Sequence, residues 1–298
     1  MNNKELEASF RKAKALGDDI REMESIDALA AYRQSQMKIR GLKRTRLHNQ
    51  LIRCAAFLAI PLLLASLILG YLYFAESEEE IRYAEVISTM GTVVRYELPD
   101  HSVVWLNSGS KLRYPTVFQK DNRNVELTGE AYFQVEAEPE RPFYVNTPNG
   151  LSVYVYGTQF NVRRYVDEEG IRATLVDGSV GFAKNGQKED EYIKIEPGYQ
   201  VRYEEGQEVV VQKVKVYNEI AWKNHQFSFE RKPLDEIMKD FMRWYDVNIT
   251  FEDESLHELY FSATLNRYGN IETLLRFFEA GYDIKFEING KNIKVKRK

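Results

Sequence analysis

Gly157-Thr158, set between the apolar stretches 153–156 and 160–162, is the one place where neighbouring residue types could break the chain's own backbone. A threonine hydroxyl can attack the preceding glycine carbonyl where the backbone is strained, turning the amide into an ester that water then cleaves. The same pair equally suits a strand bulge or tight bend that needs glycine. Glu130, directly after Gly129, is open in a similar way: a carboxylate within an apolar strand pattern either satisfies buried backbone or faces water. Little else suggests catalysis. His48, His101, His225 and His257 are scattered without zinc-type spacing, and Cys54 is the single cysteine. No nucleophile elbow, P-loop or dinucleotide fingerprint occurs, so the expectation is no metal, no cofactor and no enzyme beyond the candidate self-cleavage. Carboxylates are abundant, but a sequence cannot place two across a cleft as a glycoside hydrolase requires. Trp105, Trp222 and Trp244 lie in or beside apolar patterns and read as core.

The elements that must hold these residues are mostly strands. From 83 to 217, short alternating runs rich in Val, Tyr, Ile and Phe are separated by turn signals such as Pro99-Asp100, Pro148-Asn149-Gly150, Asp177-Gly178, Asn185-Gly186 and Pro197-Gly198. No helical period shows there, which predicts an all-β domain at 85–217. From 218 to 298 the pattern becomes strand–helix–strand–strand–helix–strand–strand, a small α+β domain. Pro233 opens one helix, with Asp235 and Glu236 in its first turn. Asn270 caps the other, and Asn289-Gly290 marks a closing hairpin.

The first fifty residues differ again. Leu6, Phe10, Ala13, Leu16, Ile20, Met23 and Ile26 recur at three- and four-residue steps, predicting helix over 4–46 with one apolar face. So short a segment buries little surface by itself, and the stripe calls for a small bundle or a partner. Residues 54–74 then carry no charge, a length of about 31 Å as a helix. Lys38, Arg40, Lys43, Arg44, Arg46 and Arg53 precede that run, and Glu76, Glu78, Glu79 and Glu80 follow it. The expected fold class is therefore a membrane-anchored multi-domain protein with one transmembrane helix at 51–75 and a juxtamembrane linker at 76–84. The basic flank predicts a single pass of the inner (cytoplasmic) membrane, N-terminus cytoplasmic and C-terminus periplasmic, with membrane lipid as a partner. Residues 1–53 hold a charge of +5, which leaves −9 of the overall −4 balance to the remainder. That acidity argues against direct binding of nucleic acid. With one cysteine no intramolecular disulfide is possible, so the outer domains depend on apolar burial.

Six blocks carry a resemblance: LPDHSVVWLNSGSKLRYP (98–115), VELTGEAYFQV (125–135), PFYVNT (142–147), YGTQFNV (156–162), TLVDGSV (174–180) and IEPGYQV (195–201). In order and spacing they resemble the FecR family of single-pass transmembrane anti-sigma regulators. The stretch from Phe227 through PLDEIMKDFMRWYDVNITF to the last hairpin resembles the secretin/TonB short N-terminal-like module that ends many such proteins. The motif positions are Leu98, Pro99, Asp100, Gly129, Glu130, Gly157, Thr158 and Phe160. His101 stands where the family usually has glycine, implying either a turn without positive φ or a tolerated strain. The first fifty residues also lack the tryptophans typical of the family's sigma-binding segment.

The resemblance implies a signal transducer. The signalling domain of a ligand-loaded outer-membrane TonB-dependent receptor would engage the outer domains, and the cytoplasmic helices would release or activate an extracytoplasmic-function sigma factor. Leu6, Phe10, Leu16, Ile20 and Met23 are the expected sigma contacts, and some relatives undergo self-cleavage at the pair matching Gly157-Thr158. The alternative is a membrane-tethered glycan- or cell-wall-binding module with no sigma partner, in which the first forty residues would be dispensable.

Overall fold

The structure is a computed structural model that describes residues 3–24, 27–75, 81–148, 151–184 and 193–298. It divides into two compact units, Met1–Glu79 and Glu80–Lys298. In the first, helix α1 (Asn3–Glu24) is followed by helix α2 (Ala28–Ala75). The helix expected over 4–46 is thus two helices. Asp27 accounts for the second start: its Oδ1 accepts from the backbone N–H groups of Leu29 and Ala30, each at 3.0 Å, as an N-cap does. Ile26 lies outside the described residues.

The expected membrane span is corrected here. Among the described residues, no helix is long and apolar enough to cross a membrane. Pro61 lies inside α2, where it removes a helical hydrogen bond. This finding overturns the membrane-anchored fold class with a transmembrane helix at 51–75. It equally overturns the single-pass inner-membrane location with a cytoplasmic N-terminus and a periplasmic C-terminus.

The second unit is mostly β. Its organising element is β5 (Arg123–Gln134), twelve residues long, which merges two runs that the sequence pattern separates. The first half of β5 pairs β4 (Ser110–Pro115) and, in parallel, β6 (Phe143–Thr147); the second half pairs β3 (Val103–Leu106) and β8 (Gln159–Arg164). One strand therefore serves two sheets. Beyond β6 come β7 (Leu151–Val155), β10 (Val180–Lys184) and β11 (Ile193–Ile195). Beyond β8 come β9 (Ile171–Asp177), β12 (Tyr199–Tyr203) and β13 (Val210–Lys213), while β1 (Tyr83–Ser88) pairs β4 and β2 (Val94–Glu97) pairs β3.

The hinge between the halves is Gly129, at φ 105°. A Cβ there would lie 2.4 Å from Ser110 Oγ and 2.7 Å from Ser110 Cα, so only glycine admits this approach. The inward side chains of both sheets form one core. Phe133 stacks on Phe160 at 5.1 Å and meets Phe143 edge-on at 6.1 Å; all three are fully buried, each stabilising by roughly 1.5–3 kcal/mol.

After β13 a short helix, α3 (Val216–Ile220), appears where no helical period was expected; five residues are too few to show one. Next come β14 (Gln226–Pro233), α4 (Leu234–Tyr245), β15 (Asn248–Phe251), β16 (Tyr260–Asn266), α5 (Ile271–Gly281), β17 (Ile284–Asn289) and β18 (Asn292–Arg297). β14 pairs β16, and β18 lies between β15 and β17. Asn270 caps α5, its Oδ1 accepting from Glu272 N at 2.7 Å. Leu234, Ile237, Met238 and Phe241 of α4 and Leu275 and Phe278 of α5 form a second core. Val93, which precedes β2, packs against that core.

Candidate functional site

Where the second core meets the β sheets, the molecule buries charge. β5 and β8 place Glu130 opposite Arg163 in register. Glu130 is buried and accepts from Asn107 Nδ2 (2.7 Å), Asn161 Nδ2 (3.0 Å) and Arg163 Nη1 (3.2 Å). This differs from both alternatives the sequence offered: the carboxylate faces neither water nor buried backbone but accepts from side chains. Arg163 goes on to Glu168 Oε1 (2.5 Å) and to Asp240 Oδ1 of α4 (2.7 Å). From the same helix Arg243 reaches Asp167 (2.8 Å) and Glu168 (2.9 Å), and Glu236 meets Arg172 at 2.7 Å. Lys232 closes on Asp240 at 2.7 Å.

Burial opposes the charges of Glu168, Asp240 and Arg163, and neighbouring charges outweigh it. Desolvation pushes the Glu168 carboxyl up, but Arg163, then Arg243 and Arg172, bring it down to about 2. Asp240 is likewise opposed by burial and held well below the usual carboxylate range by Arg163, Lys232 and Arg243. Arg163 is in turn held well above its ordinary value, against burial, by Asp240, Glu168 and Glu130. Beneath the network the Tyr165 ring takes the Arg243 guanidinium at 3.8 Å, and its hydroxyl donates to Ser108 O at 2.9 Å. Burial, with Glu130, raises that phenol. Carboxylates so thoroughly paired stay ionised, and their chemistry is cohesion. Such networks fix a geometry more than they add net stability, because desolvating each ion costs several kcal/mol.

Three further contacts join the same surfaces. Trp222 Nε1 donates to Asn161 Oδ1 (3.2 Å), Arg267 Nη1 to Asn107 Oδ1 (2.8 Å), and Gly91 N to Arg243 O (3.1 Å). Gly91 has φ 74°, and a Cβ there would stand 2.9 Å from Trp244 O.

The first motif block builds a separate buried pair. Asp100 Oδ2 accepts from Arg123 Nη1 at 2.9 Å, with both side chains wholly out of water. Ser102 donates to Asp100 through N (3.1 Å) and Oγ (2.8 Å). Arg123 Nε donates to Arg141 O at 2.9 Å and its guanidinium lies 5.4 Å from the Phe143 ring. Leu98 is buried and Pro99 exposed. His101 sits at φ 67°, so the turn keeps the left-handed backbone and tolerates the strain. Its Nδ1 is 3.0 Å from Glu97, which raises the imidazole's pKa.

Gly157 and Thr158 connect β7 to β8, next to a register shift between Gln159 and Phe160. A Cβ on Gly157 would fall 2.6 Å from Ala137 Cα. Thr158 is buried, and its hydroxyl donates to Ser179 O at 2.8 Å. A Cβ on Gly178 would lie 3.0 Å from both Thr158 Oγ1 and Gly157 O, and Gly178 itself has φ 93°.

The structure does not gather the motif residues at one centre: Glu130 belongs to the charge network, Asp100 to the Arg123 pair, and Phe160 to the core. Leu6, Phe10, Leu16, Ile20 and Met23 all lie on α1, between 51% and 77% exposed. Sequence reasoning missed Arg163, Glu168, Asp240 and Arg243. The one signal was Arg163-Arg164 inside the apolar run 160–165, since two adjacent side chains of a strand cannot both face water when its other face is core.

Comparison with known proteins adds the following. The model of the FecR protein family matches residues 85–181, and that of the FecR C-terminal domain matches 226–295. Two crystal structures of a candidate anti-sigma factor from Parabacteroides distasonis ATCC 8503, at 1.65 and 2.50 Å resolution, each superpose with a TM-score of 0.66 at 25% identity. They cover 72% and 73% of this chain and 99% and 100% of their own. No curated protein matches the chain.

Proposed function

Because this chain belongs to the FecR family of anti-sigma factors, we propose that its N-terminal segment, residues 1–50, holds an extracytoplasmic-function sigma factor while the unit Glu80–Lys298 receives the signalling domain of a TonB-dependent receptor. One observation carries the reading. Helix α1 turns Leu6, Phe10, Leu16, Ile20 and Met23 to the surface, with Phe10 77% and Met23 74% exposed. An apolar helical stripe of this kind is the complement of a partner's groove. For the second partner the support is strand edges: among the described residues β11 pairs only β10, and β13 only β12. The test is co-purification of the full chain with an extracytoplasmic-function sigma factor from the same organism. Phe10→Asp combined with Ile20→Asp is expected to abolish capture; undiminished capture discards the assignment.

Within the same reading we propose a second step, self-cleavage between Gly157 and Thr158, at a backbone packed so closely that a Cβ on Gly157 would fall 2.6 Å from Ala137 Cα. Thr158 Oγ1 would bond to the Gly157 carbonyl carbon, the Thr158 nitrogen would leave as an amine, and water would hydrolyse the resulting ester. The hydroxyl must first release Ser179 O. On a denaturing gel, two fragments for the wild type and one band for Thr158→Ala support the step. A single intact band for both removes it.

A further inference from the structure

A cavity of about 650 Å³ lies between β12, β13 and α3 on one side and β14 and α4 on the other. One wall is the charge network described above. Its lining is charged against the trend of the chain: eight lysine and arginine residues against five carboxylates, a balance of +3, whereas residues 54–298 carry −9. Much of that charge is already paired, as in Arg172 with Glu236, Lys232 with Asp240 and Lys215 with Glu230.

Three cations are not. Lys213 and Arg231 are exposed at the cavity and make no ion pair among the described residues. Arg267 is 5% exposed, holds only the neutral Asn107 as a side-chain partner, and leaves its Nε without one. Its guanidinium lies over the rings of Phe227 (4.6 Å) and Trp244 (5.0 Å). A buried cation without a carboxylate sends its field into the cavity beside it.

The backbone around Arg231 is an independent sign. β14 slips register between Phe229 and Lys232, and Arg231 sits in that bulge at φ 47°, its N–H donating to Ser262 Oγ at 2.8 Å. Bulges re-aim side chains, and a left-handed conformation costs a non-glycine residue energy that glycine avoids. A strained arginine where glycine would fit better points to work done by the side chain.

The shape selects the ligand. Four consecutive residues, 212–215, line one side, and among the described residues β13 has no strand beyond it. Such an edge offers backbone N–H and C=O groups to an extended chain, which a small inorganic ion would not use. We propose that this cavity is a binding site for an extended peptide bearing carboxylate side chains, laid along the open edge of β13. Lys213 and Arg231 pair with its carboxylates, and Arg267 supplies positive field from the floor. The assignment is independent of what α1 holds.

The experiment is fluorescence anisotropy of the full chain with a labelled Glu-Val-Glu-Val-Glu peptide. Binding is expected to saturate and to weaken as salt rises. It should fall at least tenfold in the double variant Lys213→Glu, Arg231→Glu, both positions being exposed. Arg231→Gly keeps the backbone its preferred conformation, so it should lose affinity with Tm held or raised. Equal binding of Gln-Val-Gln-Val-Gln, or undiminished binding by the double variant, overturns the proposal. Displacement of the peptide by equimolar inorganic phosphate overturns it in favour of a simple anion site.

Discussion

Helix α1 and the unit Glu80–Lys298 treat water in opposite ways. α1 leaves Phe10 and Met23 about three-quarters exposed, while the β-rich unit buries Arg163 and leaves its partner Asp240 only 15% exposed. The second arrangement is stable only because Arg163 and Asp240 meet opposite charges with good geometry, so that network is complete in itself. The first lacks half of a core. The difference separates a scaffold from a recognition element without reference to any motif.

The most direct way to break the comparison is to make the scaffold incomplete. Arg163→Ala leaves Glu130, Glu168 and Asp240 facing one another in low dielectric, and should destabilise the β-rich unit by about 3–5 kcal/mol in urea unfolding. A loss under about 1 kcal/mol would show the network to be solvated and the contrast with α1 overstated.

Acid should act next most strongly. The Glu168 carboxyl lies at about 2 in the fold against 4.5 ordinarily, and Asp240 is lowered too. Groups with depressed folded values contribute stability that is present above the ordinary value and lost as pH falls through the folded one. Tm should therefore drop as pH goes from 5 towards 2, with Glu168 accounting for roughly 3 kcal/mol. Glu168→Gln should start lower and fall less over the same window.

The smallest effect sharpens the scaffold side at its rim. His101→Gly removes a side chain from a left-handed position at φ 67° and gives up only an exposed pair with Glu97. Thermal scans should show Tm rising by about two degrees. A fall would mean that the imidazole supports the Asp100 turn.

Period-two alternation made most strands legible, and turn chemistry placed both the Asn289-Gly290 hairpin and the Asn270 cap. It failed where one strand serves two sheets: Gly129 reads as punctuation between two runs, yet it is a bend within β5. It failed again at α3, and the sequence misled at 51–75, where a charge-free run with a basic flank before it and an acidic one after it implies a span. The charge network was the deepest loss. Asp240 and Arg243 fall on a helix whose apolar face is unmistakable, so they read as its wet side. Their partners Arg163 and Glu168 lie over seventy positions earlier, and no local pattern reports a pairing across that distance.

Hydrogen exchange on the full chain, with and without the sigma factor, tests the contrast most directly. Alone, the amides of α1 should exchange quickly while those of β5 and β8 stay protected. Added sigma factor should slow exchange in α1 around Phe10 and Ile20 and leave β5 and β8 unchanged. Protection appearing only in the β-rich unit, with α1 as fast as before, would contradict the account.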